Sequence, residues 1–429
     1  MVNFKGNILL PLKPTLILIL GYFFYSLFPL LPSISYNFHN GQRIAQIILL
    51  TASAILLVNR SELYLPIKKI LYCFLAFIIL SFTSSAISNY PYSSMMNTMH
   101  YVMLAIFSVS LLNTKVSKKF YIALFTIHSS LIFVCVLNII FSLVEQQPII
   151  GHNIIMKFDN IRHFNHVQVL SIPLGLYILN TTKYKAITVT SITSNLVILF
   201  ISNSLAAFVC LFLIFILLLI LKLKEHLKNF TFTFVISIFI FSLIKFFEVN
   251  YISYDPIISD SGRIEMWLNS IHQSKEFILG IGPGNYSIVL QATALSHPHN
   301  FVIQLLNENG IFATLIAFYI IYLVFKKIKL TTDYKKLLVL TLLTSLIYSL
   351  FSGLFVMPLT QIIFCFLFSN VIKANEKITF SSFLKVITIS FSLVYFVISM
   401  ISASKLDGDT PKMAGPSFWS AGEKNLDGL

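Results

Sequence analysis

Residues 204–221, SLAAFVCLFLIFILLLIL, carry no charged side chain. The apolar residues follow one another without alternation, whereas strands of a membrane barrel alternate between lipid-facing and lumen-facing side chains. A helix needs about 17–25 mainly apolar residues to cross the hydrocarbon core of a bilayer. The run is therefore predicted to be one membrane-spanning α-helix.

Comparable runs recur along the chain of 429 residues. Hydrophobic residues make up 57% of it and charged residues only 11%, whereas soluble domains carry roughly 25% charged residues. We therefore predict an all-α polytopic membrane protein with about 12–13 transmembrane helices and one long outer-face loop that contains short interfacial helices. The predicted spans are 14–33, 43–59, 67–88, 95–114, 120–143, 165–181, 185–202, 204–221, 230–248, 303–325, 337–355, 358–372 and 383–402.

The formal net charge of +14 does not indicate a nucleic-acid partner, because the basic residues form no single patch. They form short clusters in alternate loops, from Lys5 and Lys13 to Lys373 and Lys377. Loops rich in lysine and arginine stay on the cytoplasmic side, so we expect a cytoplasmic N-terminus and an outer-face C-terminus. The four cysteines fall within apolar runs without CxxC spacing, which favours small buried side chains over disulfides or metal ligands.

The longest polar segment, 249–298, is predicted to lie on the outer side between the spans of 1–248 and those of 299–402, and 403–429 is predicted to form an outer-face tail. Long loops in compact proteins are usually functional. Within this loop, Asp260 and Ser261 predict the cap of an amphipathic helix over 262–276. The apolar face of that helix is expected to contact membrane lipid, and it carries Ile264, Trp267, Leu268 and Ile271. A tight glycine turn is expected over 280–286, and a second short helix over 286–295.

The segment 296–307, SHPHNFVIQLLN, places two histidines where the long loop meets a predicted span. Polar groups at the edge of a membrane are costly to place and are often functional. Pro298 is expected to open a helix, with His299 in its first turn. The positive end of the helix dipole would keep this imidazole neutral, as a general base requires. One alternative is a histidine that only caps the helix; another is a zinc site with His297, for which no third ligand has suitable spacing.

The segment 160–168, NIRHFNHVQ, concentrates polar residues at the outer end of another predicted span. Arg162, Asn165 and His166 are three or four positions apart and therefore share one helical face. Arg263, in the first turn of the interfacial helix, lies at the same border of the bilayer. Two outer arginines suit a diphosphate, because guanidinium groups grip its oxygens in bidentate fashion. The alternative for each arginine is ordinary contact with lipid headgroups.

Several motifs occur together in the second half of the chain. They are Gly262-Arg263-x-x-x-Trp267, Gly280-Ile-Gly282-Pro-Gly284-Asn285-Tyr286, His297-Pro-His299-Asn300 and Gln304-Leu-Leu-x-Glu308-x-Gly310. They resemble the O-antigen ligase and polymerase family, whose relatives include O-linked oligosaccharyltransferases. The nine residues between Asn300 and Gly310 match the ligase motif, which prefers glycine, threonine or tyrosine where this chain has Ala313. The segment from Arg162 to Asn165 resembles a second arginine site of the family.

The resemblance implies an inverting, metal-independent glycosyltransferase without a cofactor, located in the bacterial inner membrane with a periplasmic active site. Its donor would be an undecaprenyl-diphosphate-linked glycan, and its acceptor a hydroxyl on lipid A core, on a growing glycan or on a protein. His299 would deprotonate or orient the acceptor, while Arg162 and Arg263 would hold the diphosphate. The expected substrate-binding residues are His163, Asn165, His166, Gln168, Trp267, Asn285, His297, Asn300 and Gln304.

Three related functions stay open, namely O-antigen ligase, O-antigen polymerase and O-linked protein (pilin) oligosaccharyltransferase. A function of another class, a transporter or flippase of lipid-linked glycans, would need charged or broken segments at mid-membrane in both halves of the chain. The ionisable residues gather at one face instead, which favours an enzyme.

Overall fold

The computed structural model describes residues 13–28, 38–155, 158, 160–248, 262–290, 293–372, 376–406 and 417–419. Within these ranges the chain is almost entirely helical. In chain order the helices are α1 (Pro14–Leu27), α2 (Phe38–Val58), α3 (Lys68–Ala86), α4 (Pro91–Leu112), α5 (Lys118–Val144), α6 (Gly151–Ile154), α7 (Ile161–Thr181), α8 (Lys185–Ile201), α9 (Leu205–Ile220), α10 (Lys224–Phe247), α11 (Arg263–Glu276), α12 (Phe301–Lys327), α13 (Asp333–Tyr348), α14 (Pro358–Val371) and α15 (Ser382–Ser404).

Each of the thirteen predicted spans overlaps one of these helices. Among the described residues, seven helices are long and apolar enough to cross a membrane, and α1, α8, α9 and α14 are shorter apolar helices. The turn at 202–204 separates α8 from α9 as the sequence predicted, with Asn203 in a left-handed conformation (φ 47°). The prediction of an all-α polytopic membrane fold is confirmed.

Strand structure in the described residues is confined to two short antiparallel pairs. Strand β1 (Glu62–Leu65) pairs with β4 (Glu376–Thr379), so that the segments before α3 and α15 are joined. Strand β2 (Ile288–Leu290) pairs with β3 (Thr293–Leu295) within the long loop. The prediction of a helix over 286–295 is therefore wrong. The β-branched pair Ile288-Val289 suits a strand better than a helix, and a hairpin satisfies the backbone of so short a segment.

Helices α3, α4 and α12 pack closely because small polar residues line their contact. Ser94 donates to the hydroxyl of Ser85 at 2.9 Å, and that hydroxyl lies 2.9 Å from the hydroxyl of Thr98. Ser84 donates to the carbonyl oxygen of Glu308 at 2.8 Å. Lipid provides no hydrophobic drive between helices, so close approach of small residues and interhelical hydrogen bonds hold such bundles together.

Helix α12 is interrupted at Gly310, whose φ of 81° and ψ of 174° are not helical. The loop after α11 crosses the helix at this point. Ile281 donates its N–H to the carbonyl of Asn307 at 2.8 Å, and Ile311 donates to the carbonyl of Ile278 at 3.1 Å. Backbone groups freed by a break inside a membrane must find protein partners, and here the crossing loop provides them.

Glycine is required on both sides of this crossing. A Cβ on Gly310 would overlap the carbonyl oxygen of Ile278, and a Cβ on Gly280 would overlap that of Glu308. Both glycines also have a positive φ, which other residues rarely adopt. The prediction of a tight turn at the glycine run is confirmed, and the turn anchors the long loop to the start of α12.

Candidate active site

The interfacial helix predicted over 262–276 is present as α11. The proposed cap residues Asp260 and Ser261 lie outside the described residues. Ile264, Leu268 and Ile271 are exposed on one face of α11, which fits contact with lipid. On the buried face, the hydroxyl of Ser270 lies 2.6 Å from that of Tyr286 in the glycine turn.

Trp267 does not share the exposed face of α11 but turns toward the histidine segment. Its indole Nε1 donates to the carbonyl oxygen of Pro298 at 2.8 Å. From the other side, the N–H of Phe301 donates to the carbonyl oxygen of Ser349 at 3.0 Å. The segment 297–300 is therefore held between α11 and the loop that follows α13.

Asn300, not Pro298, starts helix α12. Its side chain accepts from the N–H groups of Val302 at 3.0 Å and Ile303 at 3.2 Å, and the helix begins at Phe301. The prediction that Pro298 opens the helix with His299 in its first turn is therefore wrong, because asparagine is among the strongest N-cap residues and ends the extended segment there. His299 lies before the cap with a φ of 52°, a strained conformation that the surrounding contacts maintain.

The two arginines lie near His299 in space. Arg162 is exposed in the first turn of α7, which Asn160 caps by accepting from the Arg162 N–H at 2.8 Å. Arg263 is the first residue of α11. Burial lowers the pKa of His299 to about 3, with further lowering by the positive charges of Arg263 and Arg162. The imidazole is thus neutral at physiological pH, but burial and arginine charge keep it so, rather than the helix dipole of the prediction.

Three further histidines surround this point. The rings of His297 and His299 lie 4.1 Å apart, and those of His163 and His166 lie 6.1 Å apart. His166 Nε2 is 2.6 Å from the hydroxyl of Ser352. His297 is 2% exposed, and neither of its ring nitrogens has a hydrogen-bond partner among the described residues. Burial and the neighbouring histidines lower its pKa well below the usual value.

Three other predicted site residues form hydrogen bonds to other parts of the protein. Gln168 donates to the side chain of Asn195 on α8 at 2.8 Å, and Asn165 donates to Ser202 at 2.9 Å. Asn285 closes the glycine turn by donating to the Ile281 carbonyl at 3.1 Å. These three side chains are engaged in structural hydrogen bonds, and their role in substrate binding stays a prediction.

A cavity of about 380 Å³ begins below the histidine segment. At one end it is lined by Phe301, Gln304 and Glu308, and at the other it reaches Pro66 and Ile372. Gln304 donates to the carboxylate of Glu308 at 3.1 Å. Most of the wall is aliphatic or aromatic, so the cavity suits a long apolar chain with a polar group at its head.

The sequence patterns gave no role to two buried ionisable residues, because Arg43 was not singled out and Glu308 entered only as part of a family motif. Arg43 and Glu308 are each 1% exposed, and they lie in α2 and in the first half of α12. An ionisable residue inside a predicted span was the available signal. The loop 349–357, which contacts His166 and His297 through Ser352 and Gly353, has no such signal. Among the described residues, no group of three or more His, Cys, Asp or Glu side chains is arranged to hold a metal ion.

Part of the chain matches a known protein family. Residues 189–318 match the family model described as O-Antigen ligase. The match runs from α8 into the second half of α12 and includes Arg263 and His299, while Arg162 lies before it. No curated protein matches the chain. The resemblance drawn from the sequence motifs is thus confirmed over this part of the chain.

Proposed function

We propose that this chain is a membrane glycosyltransferase of the O-antigen ligase type, which moves a glycan from an undecaprenyl-diphosphate-linked donor to an acceptor hydroxyl. The observation that carries the proposal is the position of the partly buried His299 near Arg162 and Arg263, where burial and the two positive charges lower its pKa. The family match over residues 189–318 includes two of these three residues.

The reaction needs a leaving group and a proton acceptor. The two guanidinium groups would bind the diphosphate oxygens and stabilise the negative charge that develops as the bond from the sugar anomeric carbon to phosphate oxygen breaks. The acceptor oxygen attacks the same carbon from the opposite face, so the anomeric configuration inverts. His299 takes the hydroxyl proton as the new glycosidic bond forms. These steps need no metal ion.

The lipid part of the donor fits the surroundings of the site. The apolar cavity that starts at Phe301 and Gln304 would take part of an isoprenoid chain, and the exposed apolar face of α11 would keep the site at the membrane interface. Glu308 and Gln304 would lie near the head of that chain. A diphosphate bound between Arg162 and Arg263 would then present its sugar toward His299.

The lysine clusters in alternate loops favour a cytoplasmic N-terminus and a periplasmic active site in the bacterial inner membrane. In this arrangement 1–248 and 299–402 form the transmembrane helices, 249–298 is the periplasmic loop that contributes part of the site, and 403–429 is a periplasmic tail. The acceptor would be lipid A core, a growing glycan or a protein, and these choices separate ligase, polymerase and oligosaccharyltransferase.

The test is transfer by the purified protein in liposomes. Undecaprenyl-diphosphate glycan is supplied with lipid A core, free glycan or a pilin-type protein as the acceptor, with and without chelator. We expect transfer to one acceptor class, unaffected by chelator. Glycan analysis of a deletion strain should show loss of the matching product. An intact set of surface glycans and glycoproteins in that strain would contradict the proposal.

A further inference from the structure

Arg43 is the largest charged side chain buried in the described part of the molecule, with 1% exposure. It lies in the second turn of α2. None of the ion pairs found among the described residues includes it. A buried arginine is costly in a membrane protein, and such a residue is commonly functional.

All the acceptors that Arg43 contacts are neutral. Its Nη2 donates to the carbonyl oxygen of Val356 at 2.7 Å, and its Nη1 donates to the side chain of Gln361 at 2.7 Å. Nη1 also donates to Gln46 at 2.6 Å and lies 3.1 Å from Nε2 of His100 on α4. Nε donates to the carbonyl oxygen of Phe418 at 2.9 Å, and the Phe418 ring lies 4.8 Å from the guanidinium carbon. The planar guanidinium thus joins α2, the start of α14 and the C-terminal segment 417–419.

The loop 349–357, between α13 and α14, connects Arg43 to the histidines. Ser349 accepts from the N–H of Phe301, the first residue of α12. Ser352 bonds His166, and Gly353 lies so close to His297 that a Cβ there would be 2.8 Å from the ring Nε2. One short loop therefore contacts each side of the histidine cluster.

Arg43 fixes the far end of the same loop. It binds Val356 directly, and Gln361, which it also binds, donates to the carbonyl oxygen of Phe355 at 2.7 Å. The Phe355 ring in turn lies 5.0 Å from that of Phe301. Movement of Arg43 would thus be transmitted through the loop to the start of α12 and to His299, two residues before it.

We propose that Arg43 is a positioning residue for glycan transfer, which acts through the loop 349–357 and is itself held by the Phe418 carbonyl of the C-terminal segment 417–419. The proposal rests on the proposed function, because transfer is its readout. Lysine cannot replace Arg43, since an ammonium group does not reproduce a planar fork that donates in three directions. Arg43 contacts neither reacting atoms nor the diphosphate in this scheme.

The test compares Arg43→Lys and Arg43→Gln with Arg60→Gln, a matched substitution two residues beyond the opposite end of the same helix. We expect both Arg43 variants to lose about 10²-fold in kcat, the size of effect that a small misplacement of reacting groups produces. The donor KM and the pH profile should stay unchanged, because binding and proton transfer groups are intact. Arg60→Gln should transfer at the wild-type rate.

Hydrogen–deuterium exchange provides a readout that is independent of activity. In both Arg43 variants, amide exchange should rise in 349–357 and at the start of α12, and stay unchanged in α8. If an Arg43 variant fails to fold, Gln361→Met provides a second test, because it keeps the length of the side chain but removes its polar contacts. This variant should show the same loss in kcat and the same rise in amide exchange. Folded variants with wild-type kcat and unchanged exchange in 349–357 would overturn the proposal. A wild-type protein without transfer activity would instead refute the proposed function, while the exchange result would still decide whether Arg43 holds the loop.

Discussion

The surroundings of His299 favour its neutral form, and binding of the proposed donor would change those surroundings. In the free protein, burial and then the charges of Arg263 and Arg162 lower its pKa to about 3. A diphosphate bound by the two arginines would offset their charge, so the pKa of His299 would rise in the complex. The imidazole would then be a stronger base at the proposed step in which the acceptor hydroxyl loses its proton.

This environment predicts a difference between two pH profiles. The limb of kcat/KM reports the free enzyme and that of kcat reports the complex. We expect kcat/KM to stay flat through neutral and mildly acidic pH, since the pKa of about 3 lies far below. The acid limb of kcat should lie at higher pH. His299→Ala should remove that limb and lower kcat by about 10²–10⁴-fold, with a smaller loss for His297→Ala. Wild-type rates in a folded His299→Ala protein would refute the assignment, and the exposed His272 provides the control substitution.

The arginines are expected to act through their geometry as well as their charge. Arg162→Ala and Arg263→Ala should each lower transfer by well over an order of magnitude, and Lys substitutions should restore only part of it, because lysine lacks the bidentate fork. Lys275→Ala, which removes an exposed cation from the other end of α11, is the matched control. Equal losses for Lys275→Ala and Arg263→Ala would indicate general attraction of anionic lipid instead.

At the scale of elements, hydropathy predicted the long helices but not the details that form the site. Continuous apolar runs determine which segments cross the membrane, so the spans and the α8–α9 turn were predictable. The cap of α12 depends on competition between Pro298 and Asn300 for the start of the helix. The hairpin β2–β3 forms from a segment too short to show a clear periodicity of hydrophobic residues. The contact of loop 349–357 with His166 and His297 joins residues about 55 to 190 positions apart, which no local pattern in one sequence reveals.

The crossing of the glycine turn and α12 predicts that substitution by alanine lowers stability at Gly310 but not at Gly21, which lies in α1. Gly310→Ala should lower thermal stability and transfer together, because the new Cβ overlaps the Ile278 carbonyl and the positive φ adds about 1–3 kcal/mol of strain. Gly21→Ala in α1 has open space around the new Cβ, and a helix gains roughly 0.5–1 kcal/mol from that exchange. The midpoint temperature of thermal unfolding in detergent should therefore fall for Gly310→Ala and stay level or rise for Gly21→Ala. A stable, active Gly310→Ala protein would contradict the crossing.

At the scale of the whole molecule, the candidate site extends well beyond the segment that matches the family model. The match ends at residue 318 and begins at 189, yet Arg162 lies before it and the loop 349–357 lies after it. Arg43 and Phe418 connect the second helix with the C-terminal segment. The helices outside the matched segment therefore serve as the frame that brings two arginines and four histidines to one end of the bundle.

The orientation of that frame in the membrane can be tested directly. The alternation of lysine clusters predicts that the end with α11 faces the periplasm and that the α12–α13 connection, with Lys326, Lys327 and Lys329, faces the cytoplasm. An impermeant maleimide applied to spheroplasts should label Ser274→Cys in α11 but not Lys329→Cys, and lysis should make the second position reactive. Because Cys135, Cys210 and Cys365 are buried and Cys73 is partly buried, the parent protein provides the background signal, with Cys73→Ser if that signal is high. Labelling of Lys329→Cys with protection of Ser274→Cys in intact spheroplasts would place the histidine cluster on the cytoplasmic side. There it could not meet a donor displayed on the outer leaflet. This result would contradict both the predicted topology and the proposed periplasmic transfer.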